Sequence, residues 1–384
     1  MRKKTAVAVG IAAIAAALAV AGTLGGRATP ASAAAKDLAS CTNVKLGVLA
    51  PLTGPAGFLG GEQLSWVQFA VSKFNKQYGT KFGVVEGDTQ LSADLSRRVA
   101  RRIVSNTSIV GVVGGSTNQS VISSGDLFKT AKLVSVSSSA TRISLTNGQF
   151  PTFFRVVPHD GIQAPDIVRY VTAKLKAKKV TIVDSQDDYS VPLADAIESS
   201  LERKKVTVDR QSVANTVTDF STIATNVDAD TNLVIFATQA PPLANTLAQQ
   251  LLEQGKRAVL FGTDGAYSPA QFKPRHGYVS VFWKDLRFYA PAKKLVAEYK
   301  VFSKNRPFGS FGGPSYQAAW VMMDAARKAC ADDKLTRAEL VPLVAKTNLP
   351  SIQGGRVRFS SKGDPLPTKF YIYEVTKGVY RNVG

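Results

Sequence analysis

Two apolar runs in the first half of the chain each end in a cluster of small polar residues. IVGVV (109–113) runs into Gly114-Gly115-Ser116-Thr117-Asn118, and KLVSV (132–136) runs into Ser137-Ser138-Ser139-Ala140-Thr141. Glycines let the backbone approach a ligand closely, and neutral hydroxyls and amides donate hydrogen bonds without apolar bulk. A small anion, most economically a carboxylate, suits two such loops side by side. Either loop alone also reads as a helix cap following a strand; the shared chemistry of the pair favours a site. Further along, KVTIVD leads into SQDDYS, which holds Tyr189, NLVIFA leads into Thr238-Gln239, and RAVLFG leads into Thr263-Asp264-Gly265. A carboxylate at Asp264 facing neutral donors would pair with an ammonium; the plainer alternative is a turn or cap aspartate. Phe58, in the Gly- and Pro-rich loop PLTGPAGFLGG, either covers an apolar part of a ligand or packs beneath the loop.

Catalysis finds little support. The two histidines, His159 and His276, are far apart and lack metal-ligand spacing. No GxSxG elbow, GxxxxGK[ST] loop or GxGxxG fingerprint is present. The chain therefore reads as a non-enzyme that needs no cofactor and no metal.

The elements that must position these loops follow from the alternation around them. With 384 residues, 45% of them hydrophobic, the chain has room for two ordinary domains. From residue 44, short apolar runs alternate with longer amphipathic ones: VKLGVLA (44–50), FGVVEG (82–87), IVGVV and KLVSV as strands, 61–78 and 91–105 as helices. That is the pattern of a parallel sheet with crossover helices. After FFRVVPHDG (153–161) the alternation starts afresh and makes a second α/β unit. Two later amphipathic stretches, APAKKLVAEYKVFSKN and SYQAAWVMMDAARKAC, have no strands of their own and must pack on a sheet already built. The C-terminus reads as a strand, a Lys362-Gly363-Asp364 turn and a second strand. Ligands of such open sheets lie outside the carboxyl ends of the strands, where the polar clusters fall.

The N-terminus begins MRKK, continues through an uncharged alanine-rich run and reaches Ala31-Ser32-Ala33, the design of a secretory signal peptide over 1–33; an uncleaved anchor is the rival. Its removal takes Arg2, Lys3, Lys4 and Arg27 and lowers the formal charge from +20 to +16. A basic exported protein is held near anionic envelope surfaces. Nucleic acid is set aside, since no basic stripe interleaved with aromatics appears. Cys41 and Cys330 are free to pair in an oxidising compartment; alternatively Leu38-Ala39-Ser40-Cys41 is a lipoprotein box, although Lys36 and Asp37 separate it from the apolar run.

Taken in order, VKLGVLAPLTGPAG, GDTQ, VVGG, SSSATRISLT, FFRVVPHD, DDYS, FGTDGAYSP and RVRFSSKGDP resemble the type I periplasmic solute-binding proteins of ABC transporters, specifically the branched-chain amino-acid-binding group. The resemblance spans residues 44–380. It implies an α/β fold of two Rossmann-like lobes, each a parallel sheet flanked by helices, joined by three hinge crossings. Lobe I would comprise 43–156 plus 284–358, lobe II 157–283 plus 359–384. It implies that Thr117 and Asn118 belong to the first hydroxyl loop of the site, that Ser139, Ala140 and Thr141 hold a ligand's α-carboxylate and help hold its α-amine, that Tyr189 and Gln239 line the second lobe, that Asp264 faces the ammonium and that Phe58 meets the side chain. Ser190 stands where the family has glycine, and Thr238-Gln239-Ala240-Pro241-Pro242 replaces its glycine-rich loop. The implied function is an exported, monomeric binding protein, periplasmic or at the cell surface, that delivers a small solute, an amino acid first, to a membrane permease. A ligand-sensing domain, or capture of amides, urea or aromatic acids, is the alternative.

Overall fold

The computed structural model of the chain describes residues 41–332, 335–366 and 368–384; the expected leader at 1–33 lies outside them. The first sheet has five parallel strands, β1 (Lys45–Ala50), β2 (Gly83–Asp88), β3 (Ile109–Gly114), β4 (Val134–Ser137) and β5 (Phe153–Arg155), in the order β2-β1-β3-β4-β5. Leu46 to Ala50 and all of β3 are buried, as strands covered on both faces must be. The crossovers are α1 (Gly57–Tyr78), α2 (Ala93–Ser105) and α3 (Asn118–Thr130). Ser92 caps α2, its side chain accepting from Leu95 N.

In the second sheet, α4 (Asp160–Ala173), α5 (Ser190–Glu202), α6 (Ser221–Asn226) and α7 (Pro241–Glu253) accompany five mutually parallel strands. These are β6 (Lys179–Asp184), β7 (Thr207–Ser212), β8 (Leu233–Ala237), β9 (Val259–Gly262) and β10 (Gly277–Val281). The chain then returns to the first sheet with α8 (Lys293–Phe302), α9 (Gly312–Ala329) and α10 (Arg337–Ala345). Met322 and Met323 of α9 share a core with Trp66, Val110 and Val113, and Trp66 stacks on Tyr299 with ring centroids 3.9 Å apart. Cys41 and Cys330 are bonded, which ties the chain ahead of β1 to the end of α9. No helix of the described residues is long and apolar enough to cross a membrane.

The strand, turn and second strand expected about Lys362-Gly363-Asp364 are present, with the turn closed by Gly363 N donating to Ser360 O at 3.0 Å, but the two strands join different sheets. Here β11 (Leu349–Pro350) and β12 (Arg356–Val357) make a two-stranded pair, and a lone bridge joins Phe359 to Pro365. The next strand, β13 (Tyr371–Thr376), crosses to the second sheet, antiparallel to β10 and to β14 (Val379–Asn382), so that the order there is β14-β13-β10-β9-β8-β6-β7. The hairpin turn is Lys377-Gly378, with φ 50° and 81°, the left-handed pair that a two-residue loop of matching twist requires. Residues 359–366, expected with lobe II, instead pack on β5: Gly363 O accepts from Arg155 N at 3.0 Å, and the Phe154 and Phe359 rings lie 5.2 Å apart. The chain passes between the sheets three times, after β5, after β10 and before β13.

Candidate functional site

The carboxyl ends of strands from both sheets converge on one cavity. The first sheet contributes Leu59, Ser116, Thr117, Asn118, Ser139 and Phe311; the second contributes Tyr189, Gln239, Asp264 and Gly265. The walls leave about 10 Å³ between them, roughly the room of one water, so anything larger enters only when the lobes part. Asn118 Nδ2 reaches Asp188 O at 3.4 Å and Arg142 Nη1 reaches Asp188 Oδ1 at 3.2 Å, and these contacts join the two walls.

On the first wall most of the clustered hydroxyls face inward. Ser137 Oγ donates to Gly115 O at 2.7 Å and accepts from Ala140 N at 3.0 Å, while Ser138 Oγ accepts from Gln63 Nε2 at 3.0 Å and meets Ser315 Oγ at 2.9 Å. Ser139 Oγ, at the cavity, donates to Ser116 O at 2.5 Å and accepts from Gln63 Nε2 at 2.8 Å. Thr117 is the N-cap of α3, accepting from Ser120 N; the plainer reading holds for its side chain, and the helix N-terminus it caps faces the cavity with its partial positive charge. Asn118 Oδ1 accepts from Thr141 N and Arg142 N at 3.0 and 3.1 Å, which locks the second loop to the first. Gly114 ends β3 at φ +134°, where a Cβ would lie 2.4 Å from Leu49 O; only glycine permits that approach.

On the second wall Asp187 and Ser190 shape the loop that presents Tyr189. Asp187 Oδ1 accepts from Tyr189 N and Ser190 N at 2.9 and 2.7 Å, and Ser190 Oγ accepts from Ser185 N at 3.1 Å. Serine in place of the family's glycine thus has a structural use. The Tyr189 hydroxyl donates to Asp264 Oδ1 at 2.6 Å and lies 2.7 Å from Thr263 Oγ1. Gln163 Nε2 also donates to Asp264 Oδ1, at 2.6 Å. Burial pushes the Asp264 carboxyl up to about 6, against the lowering effect of those two donors. Gly265 brings its backbone against Thr238, whose O would lie 2.3 Å from a Cβ there.

Of the residues singled out from sequence, Thr117, Asn118, Ser139, Tyr189, Gln239 and Asp264 meet at this cavity. Ala140 and Thr141 stand in the layer behind it, where Arg155 Nη1 donates to Ala140 O at 3.2 Å and to Arg142 O at 2.8 Å. Phe58 is not among the lining residues. It packs edge-on to Phe311, centroids 6.2 Å apart, and lines a neighbouring pocket of about 550 Å³ with Pro307 and Phe308. Sequence reasoning passed over Phe311, Leu59, Gln163, Arg155 and Asp160. Arg155 and Asp160 both lie in the FFRVVPHDG stretch, but nothing local distinguishes them from a strand arginine and a helix-start aspartate. His159 caps α4, its Nδ1 accepting from Gly161 N, and His276 meets Glu374 at the surface. No group of three His, Cys, Asp or Glu among the described residues could hold a metal.

Comparison with known proteins places these features in a wider set. The family described as "Periplasmic binding protein" matches residues 43–379. An "Amino acid binding protein" of Pseudomonas aeruginosa is 26% identical over 355 residues, 89% of this chain and 92% of that one. A leucine binding protein of Thermotoga maritima superposes with a TM-score of 0.79 at 19% identity, covering 89% of this chain and 98% of that one. A solute binding protein from R. palustris in complex with benzoate superposes equally well, TM-score 0.79 at 17% identity, covering 89% and 95%. At such identities the two structures establish the shared fold.

Proposed function

This chain belongs to the periplasmic binding protein family, matched over residues 43–379, and we propose from that premise that it captures an amino acid between its lobes and delivers it to the permease of an ABC transporter. The observation that carries the reading is the Asp264 carboxylate, 2% exposed, facing the N-terminus of α3 and its neutral hydroxyls across one cavity. A zwitterion matches that polarity: its carboxylate lies at the helix N-terminus and its ammonium at the acid. Closure replaces the ligand's water with fixed dipoles, and the ligand shifts the open–closed balance only as far as it prefers the closed form. The protein works outside the cytoplasmic membrane and alters nothing covalently.

The P. aeruginosa relative is named for amino acids, and the benzoate complex sets the rival ligand class. A thermal-shift panel of amino acids, amides, urea and aromatic acids against the mature protein separates them. Asp264→Asn is expected to weaken L-leucine binding by about 30-fold or more, near 2 kcal/mol, and to leave its deaminated analogue 4-methylpentanoate unchanged. Equal losses in titration calorimetry would remove the ammonium role.

A further inference from the structure

The three crossings between the lobes enclose a cavity of their own. It holds about 460 Å³, within the range of small-molecule sites, and each crossing supplies a wall: Val156 and Pro158 after β5, Trp283 and Lys284 after β10, Pro365 and Lys369 ahead of β13. The loop between β11 and β12 closes the fourth side. Ser351 N donates to Gly355 O at 3.0 Å within that loop, and Lys284 Nζ donates to Gln353 O at 3.0 Å, which ties the loop to the second crossing. None of the residues around the ligand cleft lines this pocket.

Its lining combines an apolar face with positive charge. Phe282, Trp283, Val357 and Leu366 form the face, and Leu366, at the rim, leaves 48% of its surface uncovered. Lys284, Arg356 and Lys369 stand around it, and no acid does. The partners these cations have among the described residues are neutral. Lys284 Nζ lies 4.4 Å from the centre of the Tyr289 ring and Lys369 Nζ 4.5 Å from that of Tyr371, while Arg356 gives Nε and Nη2 to Asn348 Oδ1 and O. A flat apolar body with one anionic end satisfies both halves of such a wall. Its ring lies on the apolar face, and its carboxylate takes charge-assisted bonds from Lys369 and from the remaining Arg356 nitrogen.

We propose that this hinge pocket is a second ligand site, for an aromatic carboxylate, and that its occupant holds the cleft closed. Phe282 links the two cavities: it lines the pocket, and its ring meets Phe311 of the cleft wall edge-on, centroids 5.4 Å apart. The crossings thus run between cleft and pocket. With the cleft shut to about 10 Å³ the pocket stands open, and a lobe rotation that parts the cleft on one side of the crossings draws their other side together. An occupant of the open pocket shifts the balance towards the closed cleft by its difference in affinity for the two shapes. The cleft ligand, in return, raises the occupant's affinity by the same factor. Only the choice of leucine as cleft ligand rests on the amino-acid reading above.

The probe is 2-naphthoate, with neutral 2-naphthamide as its control, titrated calorimetrically into the full mature protein without and with saturating L-leucine. Naphthoate is expected to bind both forms, at least about fivefold more tightly when leucine is present, and to bind about tenfold more tightly than the amide. Lys369→Gln combined with Arg356→Gln is expected to erase the preference for the acid and to leave leucine affinity in the absence of naphthoate unchanged. Displacement of naphthoate by leucine places it in the cleft and overturns the proposal, as does equal affinity with and without leucine, equal binding of acid and amide, or an undiminished preference in the double variant. If leucine itself does not bind, the amino-acid reading fails separately, and the acid–amide comparison on the wild type and the double variant decides the pocket.

Discussion

Arg155→Ala is expected to lower stability by about 3–5 kcal/mol and to abolish ligand capture with it. The side chain is fully buried. Its Nε donates to Asp364 Oδ1 at 2.7 Å, Nη1 to the carbonyls of Ala140 and Arg142, and Nη2 to Thr146 Oγ1 at 2.8 Å. Removing it takes the charge partner from the Asp364 carboxylate, which keeps the Thr146 hydroxyl, and a donor from the carbonyls of Ala140 and Arg142 in the layer behind the second hydroxyl loop, and that loop loses the brace opposite Asn118. The large effect comes from what is left unpaired. For that reason Arg155→Met combined with Asp364→Leu should recover part of the loss, whereas Arg155→Lys should not, since an ammonium cannot reproduce the planar fork that serves several acceptors at once. Guanidinium unfolding midpoints and leucine titrations on the variants check both halves; a midpoint for Arg155→Ala equal to the wild type would sink the account.

Cys41→Ser with Cys330→Ser is expected to cost about 4 kcal/mol, the upper part of the usual range, because the bond closes a loop between residues 289 apart in sequence. Ligand affinity should be untouched. Cys41 precedes the amino end of β1, and the cavity lies beyond the carboxyl ends of the strands, so the bond and the cleft are at opposite edges of the first sheet. Reducing the wild type with dithiothreitol should reproduce the shift in melting temperature. Free thiols in a non-reducing peptide map, or a diacylglyceryl group on Cys41, would remove its basis.

How far the local signal reached can be judged element by element. The runs around β1, β3 and β8 are buried along almost their whole length, and a strand covered on both faces writes an unbroken apolar run that needs no knowledge of its partners. The same signal fails for the C-terminal residues. Tyr371–Thr376 alternates as any strand does, and its pairing with β10, some ninety residues earlier, is not encoded in its own pattern. At the site, Asp264 and Tyr189 stand out because they end strand-like runs. Ser137 and Ser138 stand out for the same reason and yet face inward, toward Gly115 and Ser315.

What the sequence determined by itself is therefore the order of strands and helices, the two-lobed α/β class and the rim on which a ligand is met, because each follows from short-range periodicity and from turn chemistry at strand ends. Which polar groups face that rim, and which are spent holding it, was decided only by the tertiary structure. Asp160 shows why. In the chain it is an ordinary acid in the first turn of a helix, favoured there by the dipole; only the fold buries it at the first crossing between the lobes, where neither of its oxygens finds a hydrogen-bond partner among the described residues.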